Sequence, residues 1–119
     1  MDNLINLFKI LSDETRLRIV VLLAQGDLCV CEMCGVLDLP QPKVSKHLSK
    51  LRDVEIVTDE RKEKFVYYKL SKNNAVLNNI TSDILANIKE FPQLLKDQER
   101  LSGKQVYFDS CCVNLSKEA

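Results

Sequence analysis

Pro40 and Pro42, one residue apart, fix a break in the chain and a fresh helix start at the same point. A residue before proline avoids helical torsions, whereas proline itself fits a first helical turn. A helix therefore begins near Gln41 or Pro42. In it Val44, Leu48 and Leu51 fall on one side of a 3.6-residue wheel, with Pro42, Ser45, Lys46, Ser49 and Lys50 on the other. The apolar side needs a core, and the upstream segments offer one at the same period. Leu4, Leu7, Phe8 and Leu11 predict a short amphipathic first helix ending near Ser12. Ser12 is the expected N-cap of a second helix, with Asp13 and Glu14 placed where negative charge favours a start. Leu17, Val20, Val21 and Ala24 form its buried face, and Gly26 suits a left-handed stop. A third helix is expected from about Val30 to Leu37.

Downstream the period changes. Ile56 to Thr58 and Phe65 to Leu70 are β-branched or aromatic runs around a charged tip, Asp59 to Lys64, which predicts an antiparallel hairpin. Leu77, Ile80, Ile84, Ile88 and Phe91 then continue a helical stripe that Pro92 should end. The fold class is mainly α with one β-hairpin. At 119 residues there is room for one domain, expected over residues 1–95, with a tail over 96–119.

The 17 basic and 17 acidic residues cancel, so charge has to be judged locally. From Gln41 to Lys72 there are nine Lys or Arg against five Asp or Glu, which concentrates positive charge on the fourth helix and the hairpin. A short helix exposing small polar and cationic groups suits the DNA major groove. Gln41, Ser45 and Ser49 offer short donors to base edges, Lys43, Lys46 and Lys50 neutralise phosphates, and Pro42 can touch a thymine methyl. Arg61, Lys62 and Lys64 at the hairpin tip have the reach to grip the neighbouring backbone. His47 is counted with these DNA-binding residues, but because it borders the apolar face it is expected to pack or bond locally and not to bind metal. The alternative is that the lysine stripe is simply a solvated helix face.

Five cysteines, Cys29, Cys31, Cys34, Cys111 and Cys112, are many and odd in number. That argues against a disulfide framework and for metal or thiol chemistry. Catalysis has little support: no glycine pattern cradles a phosphate, and His47 is the single histidine. The longest apolar run, Ile19 to Ala24, is far short of a membrane span, and the first residues lack a secretory pattern, so a cytoplasmic chain with no membrane partner is expected.

Taken together, FKILSDETRLRIVVLL, LCVCEMC, LPQPKVSKHLSKLRD and KFVYYKL resemble the ArsR/SmtB family of winged helix-turn-helix metalloregulatory repressors over roughly residues 4–90. The LCVCEMC stretch is most similar to the arsenic-responsive branch, in which a CxCxxC at the start of the third helix senses trivalent metalloid. The resemblance implies that Cys29, Cys31 and Cys34 are thiolate ligands and that the helix from Gln41 to Arg52 reads DNA. It also implies a homodimer, joined by its first and last helices, that binds an inverted-repeat operator and releases it when arsenite or antimonite arrives. Three departures stand out. Pro40 occupies the place of a capping Ser, Glu63 occupies that of a turn Gly and should widen the wing turn, and the tail with Cys111 and Cys112 lies outside the shared pattern. An auxiliary ligand role is the secondary expectation for that pair.

Arsenite and antimonite are soft and take three sulfur ligands in a pyramid, so three thiolates complete a site without histidine or carboxylate. Cys31 and Cys34 share a helix face, but Cys29 points away if the helix runs through all three. Gathering the sulfurs requires irregular backbone around Cys29 to Cys31, and that distortion is the expected switch. The stripe Leu77, Ile80, Ile84 and Ile88 serves either the dimer interface or the monomer core. Competing readings are a cadmium or lead sensor with four thiolates, a repressor that senses peroxide or persulfide through paired thiols, and a small thiol enzyme or arsenic buffer. A zinc or nickel sensor is disfavoured because Leu77 to Phe91 contains no histidine.

Overall fold

The structure is a computed structural model and describes residues 2–103. Its first helix, α1 (Asp2–Leu11), buries Leu7, Ile10 and Leu11 but leaves Leu4, Ile5 and Phe8 exposed, so the predicted stripe is split between two faces. Asp13, and not Ser12, caps α2 (Glu14–Leu23): its carboxylate accepts the Arg16 N–H at 3.0 Å. The Ser12 hydroxyl instead donates back to the Lys9 carbonyl and closes α1. Carboxylate wins the cap because it meets the N-terminal N–H groups with charge as well as geometry. α2 is buried nearly all round through Ile19 to Leu23, which makes it the post on which the other helices lean.

After Gly26 the chain takes a form that the sequence patterns did not show. Leu28 and Cys29 make a two-residue strand, β1, and only then does α3 (Val30–Leu37) begin. α4 (Gln41–Asp53) starts after Pro40 as expected, with Val44, Leu48 and Leu51 at most 1% exposed. Each such side chain contributes about 1.5–3 kcal/mol by burial, which holds the helix by its inner face and frees the outer one.

The wing is β2 (Val57–Lys62) and β3 (Phe65–Leu70), paired in register from Val57↔Leu70 to Lys62↔Phe65. β1 adds to its other side through Leu28↔Tyr68 and Cys29↔Tyr67, giving an antiparallel sheet of order β1-β3-β2. The expectation of a widened wing turn is overturned. Only Glu63 and Lys64 separate the paired ends, and Glu63 takes the left-handed conformation itself, at φ 56°. Pairing along six residues of each strand outweighs the roughly 1–2 kcal/mol that a side chain costs there.

α5 (Ala75–Ala86) is capped by Asn74 and ends sooner than the apolar stripe suggested. A 3₁₀ turn, Ile88–Glu90, follows, and Pro92 opens a further helix, α6 (Pro92–Leu101), instead of closing the helical part of the chain. The boundary expected at residue 95 thus falls inside α6. Leu77 and Ile80 join the main core, and Ile84 and Ile88 pack around Val21 and Leu94, so the stripe seals the domain. α3 and α4 with the hairpin behind them make a winged helix-turn-helix, mainly α, and among the described residues no helix is long and apolar enough to cross a membrane. Cys111 and Cys112 lie outside the described residues.

Candidate functional site

The outer face of α4 carries Gln41, Pro42, Lys43, Lys46, Ser49 and Lys50 exposed, with Ser45 half-buried between them. Lys43, Lys46, Lys50 and Lys64 enter no ion pair among the described residues, so their charge faces outward. At the wing tip Arg61 reaches the Glu63 carbonyl and Lys62 lies 5.7 Å from the Tyr67 ring centroid, while both stay exposed. Arg52 at the end of α4 meets Asp59 of β2 at 3.2 Å and ties the wing to the helix it follows. An exposed pair of this kind is worth about 0–1 kcal/mol, enough to bias an orientation and too little to lock it.

His47 turns inward, its Nδ1 4.0 Å from the Asp13 carboxylate at the head of α2. Burial pushes its pKa down, against the pull of Asp13 upward; Arg16, Lys43 and Lys46 add to the depression. The Asp13 carboxyl is itself held below its usual range, first by the Arg16 backbone N–H. His47 is thus a joint between α4 and α2, and it stands apart from the outward lysine row.

The cysteines occupy the junction of the wing sheet and α3. Cys29 is the N-cap of α3, 2% exposed, with extended torsions (φ −86°, ψ 166°). The irregular backbone that three-sulfur binding calls for is therefore already present at Cys29. Three residues on, Glu32 completes a capping box: its Oε1 accepts the Cys29 N–H at 3.1 Å, and the Glu32 N–H faces the Cys29 sulfur in return. Burial pushes the Cys29 thiol up to about 11, and burial also raises Cys34, which is half-buried in the body of the helix. Both are protonated thiols at neutral pH. Among the described residues no three His, Cys, Asp or Glu side chains stand close enough to hold one ion. The donor chemistry suits a soft metalloid, but the sulfurs are neighbours in sequence that the fold has not gathered.

The far end of α3 is held differently. Arg18 of α2 donates to the Leu37 carbonyl and, at 2.9 Å, to both carboxylate oxygens of Asp97 on α6. Arg100 of α6 donates to the Gly35 carbonyl at 2.6 Å, and Gln93 also donates to Asp97. Two guanidiniums thus satisfy carbonyls in the last turn of α3, where helix carbonyls otherwise lack partners. Sequence reasoning missed this clamp, because Arg18 and Asp97 lie 79 residues apart with no motif joining them. It also passed over Glu32, although Glu at the third position after a cap is a recognisable signal.

Comparison with known proteins places this architecture. Residues 13–59 match the family model described as "Bacterial regulatory protein, arsR family". The arsenical resistance operon repressor of Escherichia coli K12 is 54% identical over 68 residues, which cover 56% of this chain and 58% of that protein. The match therefore spans less than two thirds of that relative's length. Arsenic resistance transcriptional regulator ArsR2 of Pseudomonas putida KT2440 is 37% identical over 113 residues, covering 90% of this chain and 96% of the relative. Among solved structures, the AntR antimony-specific transcriptional repressor superposes with a TM-score of 0.63 at 28% identity, covering 76% of this chain and 80% of that one.

Proposed function

Since this chain belongs to the bacterial arsR family of regulatory proteins, we propose that it is a metalloid-responsive transcriptional repressor, working in the cytoplasm on duplex operator DNA. The observation that carries this reading is the joining of two features in one small domain. A cation-studded helix is fixed by its inner face, and a cysteine cluster stands at the start of the helix that precedes it. α4 enters the major groove with Gln41, Ser45 and Ser49 toward base edges. Lys43, Lys46 and Lys50, with Arg61, Lys62 and Lys64 of the wing, lie along the phosphates. The inducer is arsenite or antimonite, with Cys29, Cys31 and Cys34 as ligands and Cys111 and Cys112 as auxiliary donors. Bound there, the metalloid exchanges three hydroxyls for three thiols, each leaving as water with a thiol proton.

The chain's own residues convert that gathering into release. α3 is anchored at its far end by Arg18 and Arg100 and joined at its near end, through Cys29, to β3 of the wing. A change at Cys29 is therefore delivered to the wing and, through the packing of α3 on α4, to the reading helix. A coupling of about 1–3 kcal/mol weakens operator binding about 5- to 150-fold. The role is regulatory and involves no catalytic step. The partner protomer docks on the apolar side chains α1 leaves exposed, Leu4, Ile5 and Phe8, beside Val76 of α5, and a homodimer so formed reads an inverted repeat. Residues beyond the domain core, including the two distal cysteines, act as a tail.

Fluorescence anisotropy of an inverted-repeat operator tests this directly. Reduced protein should bind at low salt and let go on addition of arsenite, while Cys29→Ser, Cys31→Ser and Cys34→Ser variants bind and stay bound. Release of the variants at the wild-type arsenite concentration would remove the ligand assignment. Four sulfur neighbours in X-ray absorption of a cadmium adduct, together with a stronger response to cadmium than to arsenite, would instead favour the four-thiolate reading.

A further inference from the structure

Glu32 is 5% exposed, carries a carboxylate, and is not one of the sulfur ligands, so its retention inside the domain needs a cause. Its Oε1 takes the Cys29 N–H, and the Cys29 sulfur faces the start of α3 in the reciprocal half of the box. The same residue is paired with Tyr67 in the sheet. Cys29 is thus gripped by the helix on one side and the wing on the other. Cys34 lies in the regular body of α3, where its position is set by helical bonds. Among the described residues no three such side chains stand close enough to hold one ion, so gathering the sulfurs needs movement at the head of α3, and Cys29 is the cysteine there that both a side-chain cap and a strand pairing restrain.

We propose that Glu32 is a positioning residue that sets the inducer concentration at which the operator is released, by holding Cys29 out of the ligand geometry until metalloid binding opens the cap. The inference rests on the thiol-ligand reading above. A buried N–H that loses its acceptor has no water to replace it, so opening the box is costly where an exposed cap would yield cheaply. Hydrogen bonds to a charged acceptor are roughly twice as strong as those between neutral groups. The grip therefore weakens in the order Glu, Gln, Ala, while the sulfurs stay in place.

Titration of arsenite against the reduced protein on its operator is the test. Half-release by the Glu32→Ala variant is expected at an arsenite concentration about 5- to 10-fold below wild type, and by Glu32→Gln about 2- to 3-fold below. Operator affinity without arsenite should stay within about 2-fold for both, whereas a merely structural role would lower it and leave the threshold alone. Amide hydrogen exchange on the wild-type chain gives a second readout that needs no variant to fold. The Cys29 N–H should lose protection when arsenite binds. A threshold in Glu32→Ala equal to or above wild type overturns the inference, as does a Cys29 amide equally protected with and without arsenite. If wild type releases operator with arsenite and the variants share its threshold, only the role of Glu32 falls. If wild type ignores arsenite, the ligand reading itself falls.

Discussion

The outer face of α4 and the cysteine cluster at the head of α3 are prepared to different degrees. On α4, side chains 0–1% exposed lock the inner face, and the outer cations already point outward. At the head of α3 Cys29 is buried and protonated, Cys34 is half-buried, and among the described residues no three ligating side chains stand together. One region is preorganised and gains affinity because little has to be ordered on binding. On the function proposed above, the other would be rearranged by its ligand, which is how binding there can do work elsewhere. A repressor needs this inequality: if the sulfurs were already gathered, filling them would change nothing that DNA could feel.

The largest effect is expected where α3 is anchored. Asp97 is 2% exposed and takes two of the three Arg18 bonds, so Asp97→Ala leaves a largely buried guanidinium without its carboxylate. Breaking a buried pair by removing one partner costs about 3–5 kcal/mol, and the value here should sit near the lower end because Arg18 keeps its bond to Leu37 and some solvent contact. Urea unfolding measures it. A loss under about 1 kcal/mol would mean that the Arg18–Asp97 pair does not anchor the far end of α3.

Next in size, Lys46→Ala should weaken operator binding at all sequences alike and lower the salt slope of log K by about 1. The arsenite concentration for half-release should not move. A shifted threshold with an unchanged slope would show the two sides to be one mechanical unit at α4. Smaller again is the wing turn: Glu63→Gly relieves a left-handed side chain and should raise stability by about 0.5–1 kcal/mol in thermal unfolding. A destabilised variant would mean that Glu63 contributes a contact worth more than its strain.

The two sides were also unequally legible in the chain. Val44, Leu48 and Leu51 repeat at 3.6 residues, and β-branched and aromatic runs flank a charged tip, so local pattern alone located α4 and the hairpin. The surroundings of the cysteines were hidden for specific reasons. A two-residue strand at Leu28 and Cys29 is too short to show a period, and it exists only because β3 is there to pair with it. The Arg18 and Arg100 clamp depends on α6, whose Pro92 reads as a terminus in the sequence although proline suits a helix start as well as it marks a stop. The cap at Asp13 differed from expectation by one residue because Ser12 and Asp13 both qualify by type, and only the geometry chooses between them.

The finest probe of the contrast is pH. His47 joins the prepared helix to α2, and burial keeps its folded pKa below the ordinary value near 6.5. The unfolded chain therefore takes up this proton more readily than the folded one. The stability His47 contributes as a neutral group is complete above the unfolded pKa and is lost as pH falls through the folded one. Wild type should accordingly lose stability on going from about pH 7 to about pH 5, and His47→Asn should flatten that part of the curve, measured by urea midpoints across the range. Operator phosphates near Lys43 and Lys46 would raise the same pKa, so DNA should offset the loss in wild type and have nothing to offset in the variant. An unchanged slope in His47→Asn would place the titrating group outside α4 and leave the reading helix insensitive to pH, in keeping with a region that binding does not have to rearrange.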